Sequence, residues 1–168
     1  MHILSVLSLV VLLLAGQALA QPSWAFSLVG VPGVSLGPVS IGMTQAMVFN
    51  RLGIPQEISR EVSDKCGPGC EDIYWIYKIS DETVFAVSWT TRPDVPEIQT
   101  GLDWLMSNSP RTTVGGIQIN SKLKQVVERY GWWEYRRGRW YSWKIGFRVF
   151  VVDEEEVKAI AIMERSVE

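Results

Sequence analysis

A chain of 168 residues with 47% apolar residues, 20% charged residues and a formal net charge of −2 has an ordinary globular balance. It lacks the basic excess of a nucleic-acid binder, so no nucleic-acid partner is expected. The length fits one domain or two small ones.

Residues 1–20 contain no Lys, Arg, Asp or Glu, and Ile3 to Ala15 is almost continuously apolar. Ala18-Leu19-Ala20 then supplies the small-x-small pattern of a signal-peptidase site. The apolar run is short for a membrane span of about 20 residues. The stretch 1–20 therefore reads as a removable export signal, leaving a mature chain that does not span a membrane and is periplasmic or secreted. Gln21, not Cys, follows the cut, which argues against a lipid anchor. The only histidine, His2, sits in this signal. Its removal would close Ser-His-Asp, Cys-His and His-ligated metal chemistry, so no catalytic residue, metal or cofactor is expected.

Residues 21–36 are rich in Gly, Pro and Ser, with Trp24, Phe26 and Leu28 scattered among them, and read as an extended N-terminal arm. Beyond it, Gly37 to Gly53 aligns without a gap on Gly115 to Gly131 at an offset of 78. Val39 falls on Ile117, Ile41 on Ile119, Val48 on Val126, Arg51 on Arg129 and Gly53 on Gly131. An internal repeat is the direct reading, with 37–102 as one copy and 103–168 as the other. In the first copy Thr44 is a candidate N-cap, Gly53 a helix stop, and Pro55 lies just past it. Val48, Phe49 and Leu52 form an apolar stripe, as do Leu123, Val126, Val127 and Tyr130 in the second copy. Helices of about ten residues do not hold alone in water, so both must lie on something.

Strands are expected at Tyr74 to Ile79, Val84 to Trp89, more weakly at Glu97 to Thr100, and then at Trp140 to Ile145, Phe147 to Val152 and Val157 to Met163. Gly101 to Val114, including Trp104, reads as an irregular or helical turn. Period-2 alternation places Trp75, Tyr77 and Ile79 with Tyr141, Trp143 and Ile145 on the helix side. Tyr74, Ile76 and Lys78 with Trp140, Ser142 and Lys144 fall on the opposite side. The fold expected is α+β: two tandem repeats, each a helix packed on an antiparallel β-meander, forming one curved sheet.

Ile41-Gly42-Met43-Thr44 leading through a helix to Leu52-Gly53-Ile54-Pro55 resembles the α+β module of the outer-membrane assembly factor BamE and its relatives. A tandem pair of such units is similar to the β-lactamase inhibitory protein family. The resemblance covers most of 37–165 and implies an exported protein that binds other proteins, with no catalytic residues. The second copy has Asn120 where Gly42 would recur, and the lipoprotein Cys of the BamE type is absent.

Cys66 and Cys70 flank Gly67-Pro68-Gly69 and are the only cysteines. In an exported chain they read as a structural disulfide pinning a hairpin loop, with a thiol redox pair as the alternative. Asp153 to Glu156 reads as a solvated acidic turn. The contact surface is sought in Trp132, Trp133, Arg136, Arg137, Arg139 and Trp140, joined on the sheet by Tyr74, Lys78 and Lys144. Trp, Tyr and Arg dominate binding hot spots because they bury much area and keep a polar handle. The bland reading of the 132–141 stretch is a strand pair with a solvated basic turn. The expected function is an exported, non-catalytic protein-binding module of envelope-assembly or inhibitor type, with another protein as partner. A small-ligand or glycan binder using the same aromatics is the alternative, and a thiol redox protein through Cys66 and Cys70 the third.

Overall fold

The computed structural model describes residues 27–153 and 155–164. The export signal of 1–20, Trp24, Phe26 and Glu154 lie outside them. In chain order the elements are β1 (Leu28–Val31), β2 (Ser35–Leu36), β3 (Val39–Ser40), α1 (Gln45–Leu52), β4 (Glu57–Val62), β5 (Glu71–Lys78) and β6 (Val84–Thr91). A 3-10 turn at Glu97–Gln99 leads to β7 (Trp104–Ser107), β8 (Thr112–Val114) and β9 (Ile117–Gln118). Then come α2 (Leu123–Tyr130), β10 (Tyr135–Arg137), β11 (Trp140–Trp143), β12 (Phe147–Val152) and β13 (Glu156–Met163).

This is a mostly β protein with two sheets, which overturns the expected α+β pair of helix-on-meander repeats sharing one curved sheet. The larger sheet has eight strands in the order β10-β11-β12-β13-β7-β6-β5-β4, with every neighbouring pair antiparallel. The smaller has five, in the order β3-β2-β1-β8-β9, with β1 and β8 parallel. The supposed arm contributes β1 and β2, and Leu28 and Leu36 are fully buried. These strands are two to four residues long, too short to print a period in the sequence.

β7 corrects a second expectation. Trp104-Leu105-Met106-Ser107 is not a turn but a central strand, paired to β13 on one side and β6 on the other. Leu105 and Ser107 point into the core at 0% exposure, while Trp104 and Met106 alternate onto the opposite face. The weak strand expected at Glu97 to Thr100 is instead the 3-10 turn, with Ile98 at 72% exposure. β4 was not anticipated; it is an edge strand on which no residue is buried.

Both helices sit where their caps place them. The Thr44 hydroxyl accepts from the Met47 N–H at 3.4 Å, and α1 ends at Gly53, whose N–H donates to the Phe49 carbonyl. Gly131 closes α2 the same way on Val127, and the two glycines have φ of 80° and 79°. That region disfavours residues with a Cβ. Gly42 and Asn120, at matching positions before the helices, also share positive φ, 85° and 70°. Asn is among the side chains that tolerate it, which accounts for the Gly-to-Asn departure. α1 buries Val48 and Leu52, whereas α2 fully buries only Val126. One apolar cluster joins residues of both helices, both sheets and the inward face of the large sheet, including Trp75, Tyr77, Trp89, Tyr141, Trp143 and Phe147.

Candidate functional site

Among the described residues the helices and the small sheet cover one face of the large sheet and leave the other open. Cross-strand register defines that open face. One row runs Tyr135–Ser142–Arg148–Ala161–Met106–Ala86–Ile76–Glu57 across all eight strands. Beside it on one side lies Met163–Trp104–Ser88–Tyr74–Ser59, and on the other Arg137–Trp140–Phe150–Ala159. Small residues, Ala86, Ser88, Ala159 and Ala161, occupy the middle, where neighbouring strands stand about 4.8 Å apart. Large side chains ring them, and the result is a trough. Within it lies a cavity of about 400 Å³ lined by Lys65, Tyr74, Ser88, Asp103, Trp104, Trp140, Arg148, Met163 and Glu164.

Two aromatic contacts build the walls. Tyr74 meets Trp104 edge-on with centroids 6.2 Å apart, over the Ser88 position between them in the row. Trp140 tilts against Phe150 at 5.2 Å. Tyr74, Trp104, Trp140 and Phe150 are only half-buried, although they lie on a face that a solvated antiparallel sheet would normally make polar.

A charged network closes one end. Lys65 Nζ donates to Asp72 Oδ1 at 3.2 Å and to Thr90 Oγ1 at 3.0 Å, and reaches Asp103 Oδ2 at 3.5 Å. Thr90 Oγ1 lies 2.6 Å from Asp72 Oδ1 and also contacts Asp103 Oδ2. Burial, followed by the field of Asp72, Glu61 and Asp103, pushes the Tyr74 phenol up to about 12, so it stays neutral in any physiological medium. Lys65 owes its position to the loop that follows it. Cys66 and Cys70 form a disulfide, and the Ser63 N–H donates to the Cys70 carbonyl at 2.9 Å, pinning the β4–β5 hairpin as expected from the sequence. A disulfide belongs to an oxidising compartment, in keeping with an exported chain.

At the other end stands Arg148. Its Nε donates to Ser142 Oγ at 2.7 Å, and burial draws its pKa below the usual guanidinium value. The field of Tyr135 opposes this, and the nearby positive charge of Arg137 adds to it. Two buried oxygens at this surface lack a hydrogen-bond partner among the described residues: Ser88 Oγ and Asp103 Oδ1.

The candidate contact residues divide between two faces. Tyr74, Arg137 and Trp140 lie on the open face, with exposed Lys78 on the same face of β5, 3.7 Å from Glu57. Arg136 goes the other way, lying over the Tyr141 ring at 4.8 Å on the helix side. Trp133 packs edge-on against Tyr141 at 4.7 Å and against Trp132 at 5.1 Å. With Leu123, Val127 and Glu128 of α2 these two indoles line a separate groove. Arg139 is exposed in the β10–β11 turn, and exposed Lys144 follows β11, its N–H donating to Glu134 Oε2. Sequence reasoning missed Trp104 because β7 was not recognised. It also missed Arg148, although an arginine alternating with Phe147, Val149 and Val151 carries a readable period of two.

Among the described residues no helix is long and apolar enough to cross a membrane. No family model matches the chain, and no curated protein matches it. Among solved structures the chain is similar to an extracellular protein containing an SCP domain from Bacillus anthracis str. Ames, at 13% identity and a TM-score of 0.49. The match covers 74% of this chain and 44% of that one, so it spans less than half of the solved protein, and at that TM-score it carries no argument about fold or activity.

Proposed function

We propose that this chain is an exported, non-catalytic protein-binding module, periplasmic or secreted, that docks a partner on the open face of its eight-stranded sheet. The observation that carries the reading is the set of half-buried rings, Tyr74, Trp104, Trp140 and Phe150, arranged around a trough instead of inside the core. Half-buried aromatics beside arginines are the composition of binding hot spots. Arg137 and Trp140, opposite each other on β10 and β11, supply it at the sheet edge. The role within that reading, envelope assembly or inhibition, is what the short resemblance of Ile41 to Pro55 to BamE-like modules implies, and the two-sheet fold lends it no support.

The test is affinity capture from an envelope or culture fraction with the wild type and with the Tyr74→Ala/Arg137→Ala/Trp140→Ala variant. A partner recovered in stoichiometric amount by the wild type and lost by the folded variant is the expected result. Equal recovery by both would remove the open face from the account. A second reading, a small-ligand or glycan binder, is favoured by the cavity of about 400 Å³, a size that ordinary ligand pockets share. A thermal-shift screen separates it, because a bound ligand raises the unfolding temperature by mass action.

A further inference from the structure

The open face is asymmetric in charge, and the asymmetry has no explanation in the fold. At the β5–β6 end the cation is paired: Lys65 lies between Asp72 and Asp103. At the β10–β12 corner three arginines, Arg148, Arg137 and Arg139, are not. Among the described residues Arg148 has one hydrogen bond, from Nε to Ser142 Oγ, and no carboxylate partner. Arg137 and Arg139 likewise have none. Arg148 is half-buried and lines the cavity. An unpaired guanidinium held partly out of water is a cost that folding alone would select against. A second unpaired group points at the same space: Ser88, at 0% exposure, has an Oγ without a partner at the cavity floor between Tyr74 and Trp104.

We infer that Arg148 is the receptor for a carboxylate side chain, Glu or Asp, presented by the docked protein partner with Trp104 and Trp140 flanking it. The inference rests on the open-face reading and names the chemistry of its centre. With Nε committed to Ser142, both Nη groups remain to take a carboxylate through two parallel hydrogen bonds, the geometry for which a guanidinium is suited and an ammonium is not. Arg137, beside Trp140 at the end of that row, adds positive potential. The competing acidic groups, Asp103 and Glu164, line the same cavity from beyond the ends of β7 and β13. From strand geometry the backbones of Asp103 and Glu164 lie roughly 14 Å and 11 Å from that of Arg148, and among the described residues neither carboxylate pairs with its guanidinium.

The experiment uses the isotope-labelled exported chain, two capped pentapeptides (Gly-Phe-Glu-Phe-Gly and its Gln counterpart), and N-acetylglutamate amide as a small-acid arm. The Glu peptide is expected to bind the wild type roughly ten- to a hundredfold more tightly than the Gln peptide, as for a hydrogen bond to a charged group. Its binding should shift the indole N–H signals of Trp104 and Trp140. Arg148→Gln should abolish the preference, and Arg148→Lys should restore only part of it. Equal affinity for the two peptides in the wild type, or a preference that survives Arg148→Gln, overturns the inference. So does binding of the small acid without the peptide, since that would make the cavity a site for free acids. If Arg148→Gln does not fold, the wild-type comparison decides alone. A partner captured through Tyr74, Arg137 and Trp140 that shows no carboxylate preference sinks this inference and leaves the docking reading standing.

Discussion

Ser88 and Ser107 offer a controlled comparison. Both serines lie in central strands at 0% exposure, and both can be changed to Ala with the same loss of volume. Their hydrogen bonding differs. Ser107 Oγ accepts from the Ser109 N–H at 3.0 Å and from the Thr112 hydroxyl at 2.9 Å, tying β7 to the start of β8. Ser88 Oγ has no partner. Removing an acceptor that serves two buried donors leaves them unsatisfied, at about 1–3 kcal/mol. Removing an unpaired buried hydroxyl relieves a penalty of the same kind. Ser107→Ala should therefore destabilise by about 2 kcal/mol and Ser88→Ala should stabilise by about 1 kcal/mol. In a chain of this size each kcal/mol moves the midpoint by about 2–4 °C, so the two variants should melt on opposite sides of the wild type. Urea unfolding at neutral pH, followed by tryptophan fluorescence, measures both. A Ser88→Ala protein as destabilised as Ser107→Ala would mean that the Ser88 hydroxyl is satisfied, and the argument that the trough holds a spare polar group would fail.

Other predictions bear on the elements that frame the trough. Lys65→Met should cost about 1 kcal/mol, discounted because the lysine is 47% exposed; adding Asp103→Asn should recover part of it, by removing one of two carboxylates left facing each other, and a double-mutant cycle in thermal unfolding reads the coupling. Reducing Cys66–Cys70 should lower stability by about 2 kcal/mol, the chain-entropy value for so short a loop, measured as the urea midpoint with and without reductant. The Glu156 carboxyl, bonded by Lys158 and then Lys122, is held down at about 2. A folded pKa below the unfolded one gives stability present above about pH 4.3 and lost as pH falls toward 2. Glu156→Gln should thus be less stable than wild type at neutral pH and converge with it in acid; a difference that persists at pH 2 would contradict the assignment. Tyr74 is the opposite case: stability should decline as pH rises from about 10, the unfolded phenol value, through about 12, and a Tyr74→Phe protein should decline less over that interval.

What the sequence revealed depended on how long each element is. α1 and α2 were legible because Thr44, Gly53 and Gly131 act locally, and β5, β6 and β11 to β13 because runs such as Tyr74 to Ile79 announce themselves. Alternation placed Tyr74 and Trp140 on the open face and buried Trp75, Tyr77, Tyr141 and Trp143 behind it; Ile145, beyond the end of β11, is 38% exposed. The second sheet was invisible, since its strands exist only through their partners. β7 was hidden by Asp103 in front and Ser107-Asn108-Ser109-Pro110 behind, turn-like residues overridden by pairing on both edges. Adjacency in sequence also misled: Trp132, Trp133 and Arg136 look continuous with Trp140 but lie on the other side of the sheet. Arg148 carried a signal in its register, but its meaning depends on its having no carboxylate partner among the described residues, a fact of three-dimensional packing.

The central claim is that the open face is where another protein sits. Its most direct test is photo-crosslinking from a benzoylphenylalanine placed at position 140, with a control at Val29, which is 62% exposed on the smaller sheet. The account predicts a discrete protein adduct from position 140 and none from position 29, with the adduct lost on adding Tyr74→Ala and Arg137→Ala. Adducts of equal yield from both positions, or from position 29 alone, would contradict it.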